Sequence, residues 1–398
     1  MSTDARTLVP PTPAATEGAP SRPLRVLRLY AICAVGATVV AAIAPWLWHR
    51  GDAPHRPTMV LDRVLGNWLW WDGEWYLHIA RWGYFYIPHR QSSVAFFPAY
   101  PMGVHWLGKV LPGGYGFAAI VITLVSGATT FALFHRWCLR RLPNRAATWA
   151  VIALAVYPYG WFLYGAAYSD ALFLCVALMA FLLLENDQPV LAGLAGMVAT
   201  ATRPTGIVVL IGLVAVMCDR RGLFGHVRAR IRPRDFGVAL AALGLVAWCA
   251  WLGWRFGRPF AFIETEGSRG WNRGPGPATW LKFGFFDSLF HDGISAWMPL
   301  LLQAVCCVLF ALAVPAVWRR FGAGYGIYVL AAVLVPALST DDFMGAGRYL
   351  LAAFPVLAIA GTKLSSVRDP RIRWGYASLS ALALALGTSL FATGHFLA

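Results

Sequence analysis

The chain has 398 residues, of which 59% are hydrophobic and only 13% are charged. This balance excludes a water-soluble globular protein and indicates a polytopic, all-α membrane protein. The formal net charge of +15 does not indicate a nucleic-acid partner, because the arginines cluster in short segments between apolar runs, as the positive-inside rule predicts.

Residues 1–23 are rich in Pro, Ala, Thr and Ser and contain no apolar stretch. We expect a disordered cytoplasmic tail there rather than a signal peptide. The remainder, residues 24–398, is predicted to form a single transmembrane domain. Its first span, at about residues 24–48, follows three arginines, which predicts a cytoplasmic N-terminus and places the loop 49–114 outside the cell membrane.

This outer loop contains the sequence WWDGEWYLHIARWGY at residues 70–84. A carboxylate beside a bilayer is costly to desolvate, so Asp72 and Glu74 indicate a watery pocket or a functional site. Asp72 has two interpretations: it caps a short helix that begins near Gly73, or it acts as a general base in a partly dry aromatic pocket. On a helix, Glu74 would point away from Asp72, and it could simply pair with His78 four residues later.

Three apolar segments that each predict a crossing follow, at residues 115–134, 146–162 and 171–184. Asp170 lies at the outer start of the third segment, where it either caps the helix or contacts a substrate. The next two apolar segments, 190–201 and 206–218, are each shorter than the roughly 20 residues that a crossing needs. We therefore expect a broken or re-entrant hairpin with Arg203 near its outer tip.

The remaining apolar segments predict further crossings, at residues 236–254, 297–317, 325–338, 349–361 and 374–397. Counting the hairpin, the chain has roughly 10–11 predicted spans. Arg273 lies in the second outer loop, 255–296, and Arg348 and Tyr349 lie at an outer helix end. For Arg203 and Arg348 the alternatives are snorkelling to the interface or binding a lipid-linked phosphate.

The sequence does not indicate a metal or a cofactor. The seven cysteines lie in or beside apolar segments and have no zinc-site spacing, and they predict no disulfide framework. The triplet Asp72-Gly73-Glu74 is similar to an acidic metal clamp, but three residues are too weak a signal to predict one.

Five segments resemble, in the same order, the PIG-V family of mannosyltransferases, which are related to the second mannosyltransferase of GPI-anchor synthesis. They are WDGEWYLHIARWGY at 71–84, FFPAYP at 96–101, YSDALF at 168–173, ATRPTG at 201–206 and GRYLLAAFP at 347–355. The resemblance covers most of the chain from about residue 24. The composition is typical of a bacterial protein, and bacteria lack GPI anchors, so the acceptor of the eukaryotic enzymes is not carried over.

The resemblance implies a GT-C fold, a transmembrane helix bundle with its active site on the outer face. It implies an inverting transfer of mannose from polyprenyl-phosphate-mannose to a hydroxyl of a lipid, glycan or protein acceptor. Asp72 occupies the position of the family's essential acidic residue and is the expected base. The expected substrate-binding residues are Glu74, His78, Asp170, Arg203, Arg273, Arg348 and Tyr349.

Two alternatives remain open at this point. One is a GT-C enzyme that uses another polyprenyl-phosphate sugar, such as arabinose or glucose. The other is a non-enzymatic lipid transporter that uses Asp72 and the arginines only to bind head groups. Asp170 also stands where Glu is common in the family motif, which weakens any detailed role for it.

Overall fold

The computed structural model describes residues 23–47, 65–225, 231–271, 274, 276–395 and 397. The predicted tail lies outside these ranges except for its last residue, Pro23. Arg273 and the beginning of the first outer loop, residues 48–64, also lie outside the described residues.

Helices and short 3-10 turns form the described part of the chain, and no β-strand element is present among these residues. The helices are α1 (Pro23–Leu47), α2 (Asp72–Trp82), α3 (Ala99–Val110), α4 (Gly114–Leu139), α5 (Asn144–Ala155), α6 (Asp170–Glu185), α7 (Pro189–Thr200), α8 (Ile207–Arg220), α9 (Leu243–Phe256), α10 (Ala261–Glu266), α11 (Pro277–Trp280), α12 (Phe283–His291), α13 (Ile294–Phe321), α14 (Ala323–Ser339), α15 (Ala346–Tyr349), α16 (Phe354–Ser366) and α17 (Pro370–Ala392).

Six helical segments of the described chain are long and apolar enough to cross a membrane. They are Leu24–Leu47, Gly114–Leu139, Pro233–Phe256, Ala296–Phe321, Ala346–Ser366 and Pro370–Ala392. The protein is therefore a multi-pass membrane protein. The predicted 10–11 spans also include α5, α6, α7, α8 and α14, which have 12 to 17 residues each, so the number of complete crossings stays a prediction.

The predicted hairpin is present as two short helices, α7 and α8, separated by the 3-10 turn Pro204–Gly206. The break lies at Arg203, whose backbone is extended (φ −165°, ψ 159°) because a following proline disfavours the helical conformation. Gly206 packs against the end of α7, where a β-carbon would lie 2.5 Å from the Ala199 carbonyl oxygen. The side chain of Arg203 is thereby held against the start of α6.

The predicted second outer loop, 255–296, contains three helices that the sequence did not indicate, α10, α11 and α12. Phe97 and Phe262 pack edge to face at 5.1 Å, which holds α10 against the segment that precedes α3. This packing brings the connection after α10 close to α2. As a result, one end of the helix bundle collects α2, the start of α6, the α7–α8 break and α15.

Candidate active site

A cavity of about 790 Å³ lies at this end of the bundle. Of the residues predicted from the sequence, those that line it are Asp72, Glu74, His78, Arg203, Arg348 and Tyr349. Asp170 is not among the lining residues, although its neighbour Ser169 is. Segments far apart in the chain therefore contribute to a single chamber.

Helix α2 begins at Asp72 itself, and Trp71 occupies the N-cap position with a positive φ of 60°. A bulky residue rarely adopts this conformation, and it turns the chain sharply just before the carboxylate. Of the two interpretations of Asp72, the capping one is wrong, because Asp72 is the first residue of the helix and not its N-cap. Instead, the Asp72 backbone N–H donates to the Tyr168 hydroxyl (3.2 Å), and the Asp72 side chain turns toward Arg348.

Arg348 is the immediate partner of Asp72. Its Nη1 lies 2.8 Å from Asp72 Oδ2, and its side chain is only 5% exposed, against 22% for Asp72. The predicted snorkelling of Arg348 is therefore wrong, and so is that of Arg203, which is 7% exposed. The guanidinium of Arg348 lies 5.0 Å from the centre of the Tyr168 ring, so the pair with Asp72 and the aromatic face together offset its desolvation.

The backbone beside Arg348 is fixed by two buried side chains. Gln303 Oε1 accepts a hydrogen bond from the Gly347 N–H (3.2 Å), and the Tyr157 hydroxyl donates to the Gly347 carbonyl (2.8 Å). Sequence reasoning did not identify Gln303 or Tyr157, because nothing in their local sequence indicates what they contact. They make α15 a rigid support for the arginine.

Arg203 and Asp170 form the second ion pair, with Nη1 2.8 Å from Oδ1. Arg203 Nη2 also donates to Ser169 Oγ (2.8 Å), which in turn accepts from the Tyr76 hydroxyl (2.9 Å). Asp170 Oδ2 lies 3.9 Å from Arg348 Nη1, so this carboxylate lies between the two arginines. Its position at the N-terminus of α6 also favours its negative charge.

The result is a row of alternating charges, Asp72, Arg348, Asp170 and Arg203, with no net charge. Two hydrogen-bond donors in it are unused: the Nε atoms of Arg203 and Arg348 are buried and have no hydrogen-bond partner among the described residues. An unsatisfied buried N–H is costly, and both of these arginines line the cavity. This wall of the cavity is suited to binding an anion.

Glu74 lines the same cavity as Asp72, although the sequence predicted that the two side chains would point apart. Burial raises the pKa of Glu74 to about 7. The predicted pair with His78 is not found among the described residues. The His78 ring packs against Trp82 (5.0 Å) and Phe85 (5.4 Å), and partial burial lowers the pKa of His78.

No group of three or more His, Cys, Asp or Glu side chains within the described ranges is arranged to hold a metal ion.

No protein-family model matches the chain. GPI alpha-1,6-mannosyltransferase 2 of Cricetulus griseus is 28% identical over 194 residues, which cover 44% of this chain and 38% of that protein. The Mus musculus protein of the same name is 28% identical over 213 residues, which cover 48% of this chain and 42% of that protein. The chain thus spans about two fifths of the length of these relatives, and the resemblance seen in the five motifs is confirmed as a distant one.

Among solved structures, ArnT from Cupriavidus metallidurans in the apo state is similar, with a TM-score of 0.52, 16% identity, and coverage of 92% of this chain and 76% of that one. ArnT bound to undecaprenyl phosphate gives a TM-score of 0.51 at 16% identity, with 95% of this chain and 77% of that chain covered. At this identity the likeness concerns the fold alone. The chain has the GT-C transmembrane fold that the motifs imply.

Proposed function

We propose that the protein is an inverting glycosyltransferase that moves mannose from polyprenyl-phosphate-mannose to an acceptor hydroxyl at the outer face of the membrane. The observation that carries the proposal is the chamber lined by Asp72, by its partner Arg348 and by Arg203, two buried arginines whose Nε–H donors have no partner among the described residues. The similarity to GPI alpha-1,6-mannosyltransferase 2 supports mannose as the sugar. The undecaprenyl phosphate bound to ArnT supports a polyprenyl-phosphate carrier.

The two arginines are the proposed phosphate-binding groups. A guanidinium fork matches the oxygens of a phosphate, and Arg203 and Arg348 each offer an Nε–H that no described residue uses. Arg348 neutralises Asp72 across 2.8 Å. A bound phosphodiester competes for this guanidinium, so donor binding would release the Asp72 carboxylate to act as a base.

In the proposed step, Asp72 takes the proton from the acceptor hydroxyl while that oxygen attacks the anomeric carbon. The bond from this carbon to the phosphate oxygen breaks, and its electron pair leaves on the polyprenyl phosphate, whose growing charge the two arginines stabilise. Inversion requires the attacking and leaving oxygens on opposite sides of the carbon. The contact between Asp72 and Arg348 must therefore open in the reactive complex.

The test is transfer of radiolabelled mannose from polyprenyl-phosphate-mannose by the purified protein in vesicles that contain total membrane lipid. Asp72→Asn is expected to fold normally and to lose transfer by about 10²-fold or more, because it cannot accept the proton. Asp287→Asn is the matched control, since Asp287 is an exposed carboxylate on α12 that pairs only with His291 among the described residues.

Near-normal transfer by Asp72→Asn would contradict the base assignment. Competition by polyprenyl-phosphate arabinose or glucose identifies the donor sugar. Movement of intact donor across the bilayer without transfer would favour the non-enzymatic alternative instead.

A further inference from the structure

The cavity is also lined by aromatic rings, which form a second wall beside the arginines. Trp75 stacks on Phe96 at 5.6 Å, and Trp271 meets both rings edge to face, at 5.7 Å from each. Trp75 and Trp271 are only partly buried and line the chamber. These rings give the chamber an aromatic, apolar wall that a ligand can reach.

Glu74 is a polar group beside this wall. Its Oε1 atom is buried and has no hydrogen-bond partner among the described residues, and the carboxyl takes part in no ion pair there. The carboxylates Asp72 and Asp170 differ from Glu74, because each of them contacts an arginine. Burial without a cation favours the neutral acid, and the pKa of Glu74 is raised to about 7.

Other titratable or charged side chains share the chamber with Glu74. They are Asp72, Tyr76 and His78 on α2, Glu266 on α10, Arg203 before the 3-10 turn, and Arg348 and Tyr349 on α15. Asp72 and Arg203 are engaged in the charge row, and the raised pKa of Glu74 comes from its burial. A neutral carboxyl both donates and accepts a hydrogen bond, as a sugar hydroxyl does.

We propose that Glu74, Trp75 and Trp271 form a subsite for a hydroxylated sugar ring, in which the Glu74 carboxyl exchanges hydrogen bonds with a ring hydroxyl. The inference rests on the proposed function and extends it, because it separates the sugar-binding wall of the chamber from its phosphate-binding wall. The apolar face of a pyranose ring packs on an indole, and its hydroxyls need partners once water is displaced. Glu74 is a positioning and specificity residue in this scheme.

The ring in the subsite could belong to the donor or to an acceptor sugar, since both are hydroxylated rings. The KM values of the two substrates distinguish them. In the transfer assay, Glu74→Ala is expected to raise the KM of one substrate by about three- to tenfold, as the loss of one hydrogen bond predicts. A raised donor KM assigns the donor ring to the subsite, and a raised acceptor KM assigns the acceptor ring.

Rescue by Glu74→Gln and the pH dependence of the KM distinguish a binding role of Glu74 from a purely structural one. Glu74→Gln keeps a donor and an acceptor, so it is expected to restore the KM. The wild-type KM should rise as the pH passes above about 7, where the acid ionises, and this rise should be absent in Glu74→Gln. Glu264→Gln is the control, because Glu264 accepts from the Tyr86 hydroxyl outside the chamber.

A binding assay separates failure of this inference from failure of the proposed function. Equilibrium binding of a radiolabelled alkyl mannoside should weaken about three- to tenfold in Glu74→Ala. Binding of an alkyl phosphate should stay unchanged, which also shows that the variant is folded. Unchanged mannoside binding, or a Glu74→Gln variant as weak as Glu74→Ala, would overturn the subsite whether or not transfer occurs.

Discussion

The two ends of α6 carry the same kind of charge cluster and differ in one respect. Asp170 at its start and Glu185 at its end are both buried, with side chains 2% and 4% exposed. Each carboxylate lies between two arginines. The pairs are Arg203 and Arg348 at the start and Arg140 and Arg141 at the end.

At the Glu185 end the cluster is closed. Arg141 packs on the Trp137 ring at 4.2 Å, and both Arg141 and the Tyr325 hydroxyl donate to Glu185 Oε1. No atom of these four side chains is among the unsatisfied buried groups of the described chain. This cluster fastens helices together and leaves no unsatisfied group for a ligand.

At the Asp170 end, three polar atoms lack hydrogen-bond partners within the described ranges: Asp170 Oδ2, Arg203 Nε and Arg348 Nε. A cavity lies directly beside two of these residues. Buried ion pairs alone are therefore weak evidence of function, since both ends have them. Unpaired polar atoms on residues that line a cavity distinguish this candidate site from a structural fastening.

The largest expected effect is that of Arg348→Met, which removes a proposed phosphate contact while keeping a long side chain. We expect transfer to fall by about 10²- to 10³-fold, since one electrostatic donor in a reaction site contributes that much. Arg348→Lys keeps the charge but loses the guanidinium fork, so its transfer rate should lie between those of the wild type and Arg348→Met. Arg141→Met at the other end should leave kcat unchanged, and equal losses in both variants would show that the folds, not the sites, had failed.

Asp170→Asn and Glu185→Gln compare the two carboxylates directly. Asp170→Asn leaves the buried Arg203 without its main counter-ion, so it should lower the free energy of unfolding by about 3 kcal/mol. Glu185→Gln does the same to Arg141, which is only partly buried, so its loss should be smaller. Urea unfolding in detergent measures this loss. Only Asp170→Asn should also lower transfer, because only Asp170 positions the proposed phosphate-binding arginines. An activity loss of similar size in Glu185→Gln would contradict the distinction.

Gly347→Ala tests whether the backbone of α15 must stay in place to hold Arg348. A β-carbon there would lie 2.5 Å from the Tyr159 ring, so α15 must shift, at an overpacking cost of about 1–3 kcal/mol. The Tm of thermal unfolding and the rate of transfer should both be lower than in the wild type. Gly375→Ala in α17 is the control, because its β-carbon meets nothing within 4 Å and should stabilise the helix by about 0.5–1 kcal/mol.

The smallest effect concerns Glu264, a carboxylate that has no buried cation. The Tyr86 hydroxyl donates to it at 2.6 Å and lowers its pKa. Its stabilisation is present above the ordinary glutamate pKa of about 4.3 and is lost as the pH falls through the lowered value. Tyr86→Phe should lower Tm slightly at neutral pH and not in strong acid, and a loss that persists in acid would point to packing instead.

The sequence identified the charged members of the site because charges in apolar segments are conspicuous. Asp72, Arg203 and Arg348 were found in this way, and the short hairpin was found from its length and from Pro204. The GT-C fold followed from five motifs in order. These signals are local, and each can be read within a few residues.

Long-range contacts could not be predicted in this way. The pair of Asp72 with Arg348 joins residues far apart in the chain. Because of this pair, Asp72 is not a helix cap and Arg348 does not snorkel to the interface. The positive φ of Trp71 is equally invisible in the sequence, because it follows from the packing around the ring rather than from the residue type. The contacts of Gln303 belong to the same class.

Helix α6 has a consequence for the thickness of the surrounding membrane. Its 16 residues span about 24 Å, whereas the hydrocarbon layer of a typical bilayer is about 30 Å thick. The charges at its two ends are thus closer together than the two lipid surfaces, and a tilt of the helix brings them closer still. Unless the bilayer thins around the protein, at least one charged end of α6 lies below the head groups, and if this is the Asp170 end, so does the floor of the chamber. With the floor at that depth, a polyprenyl carrier would reach the arginines by sliding sideways, with its tail still in the hydrocarbon.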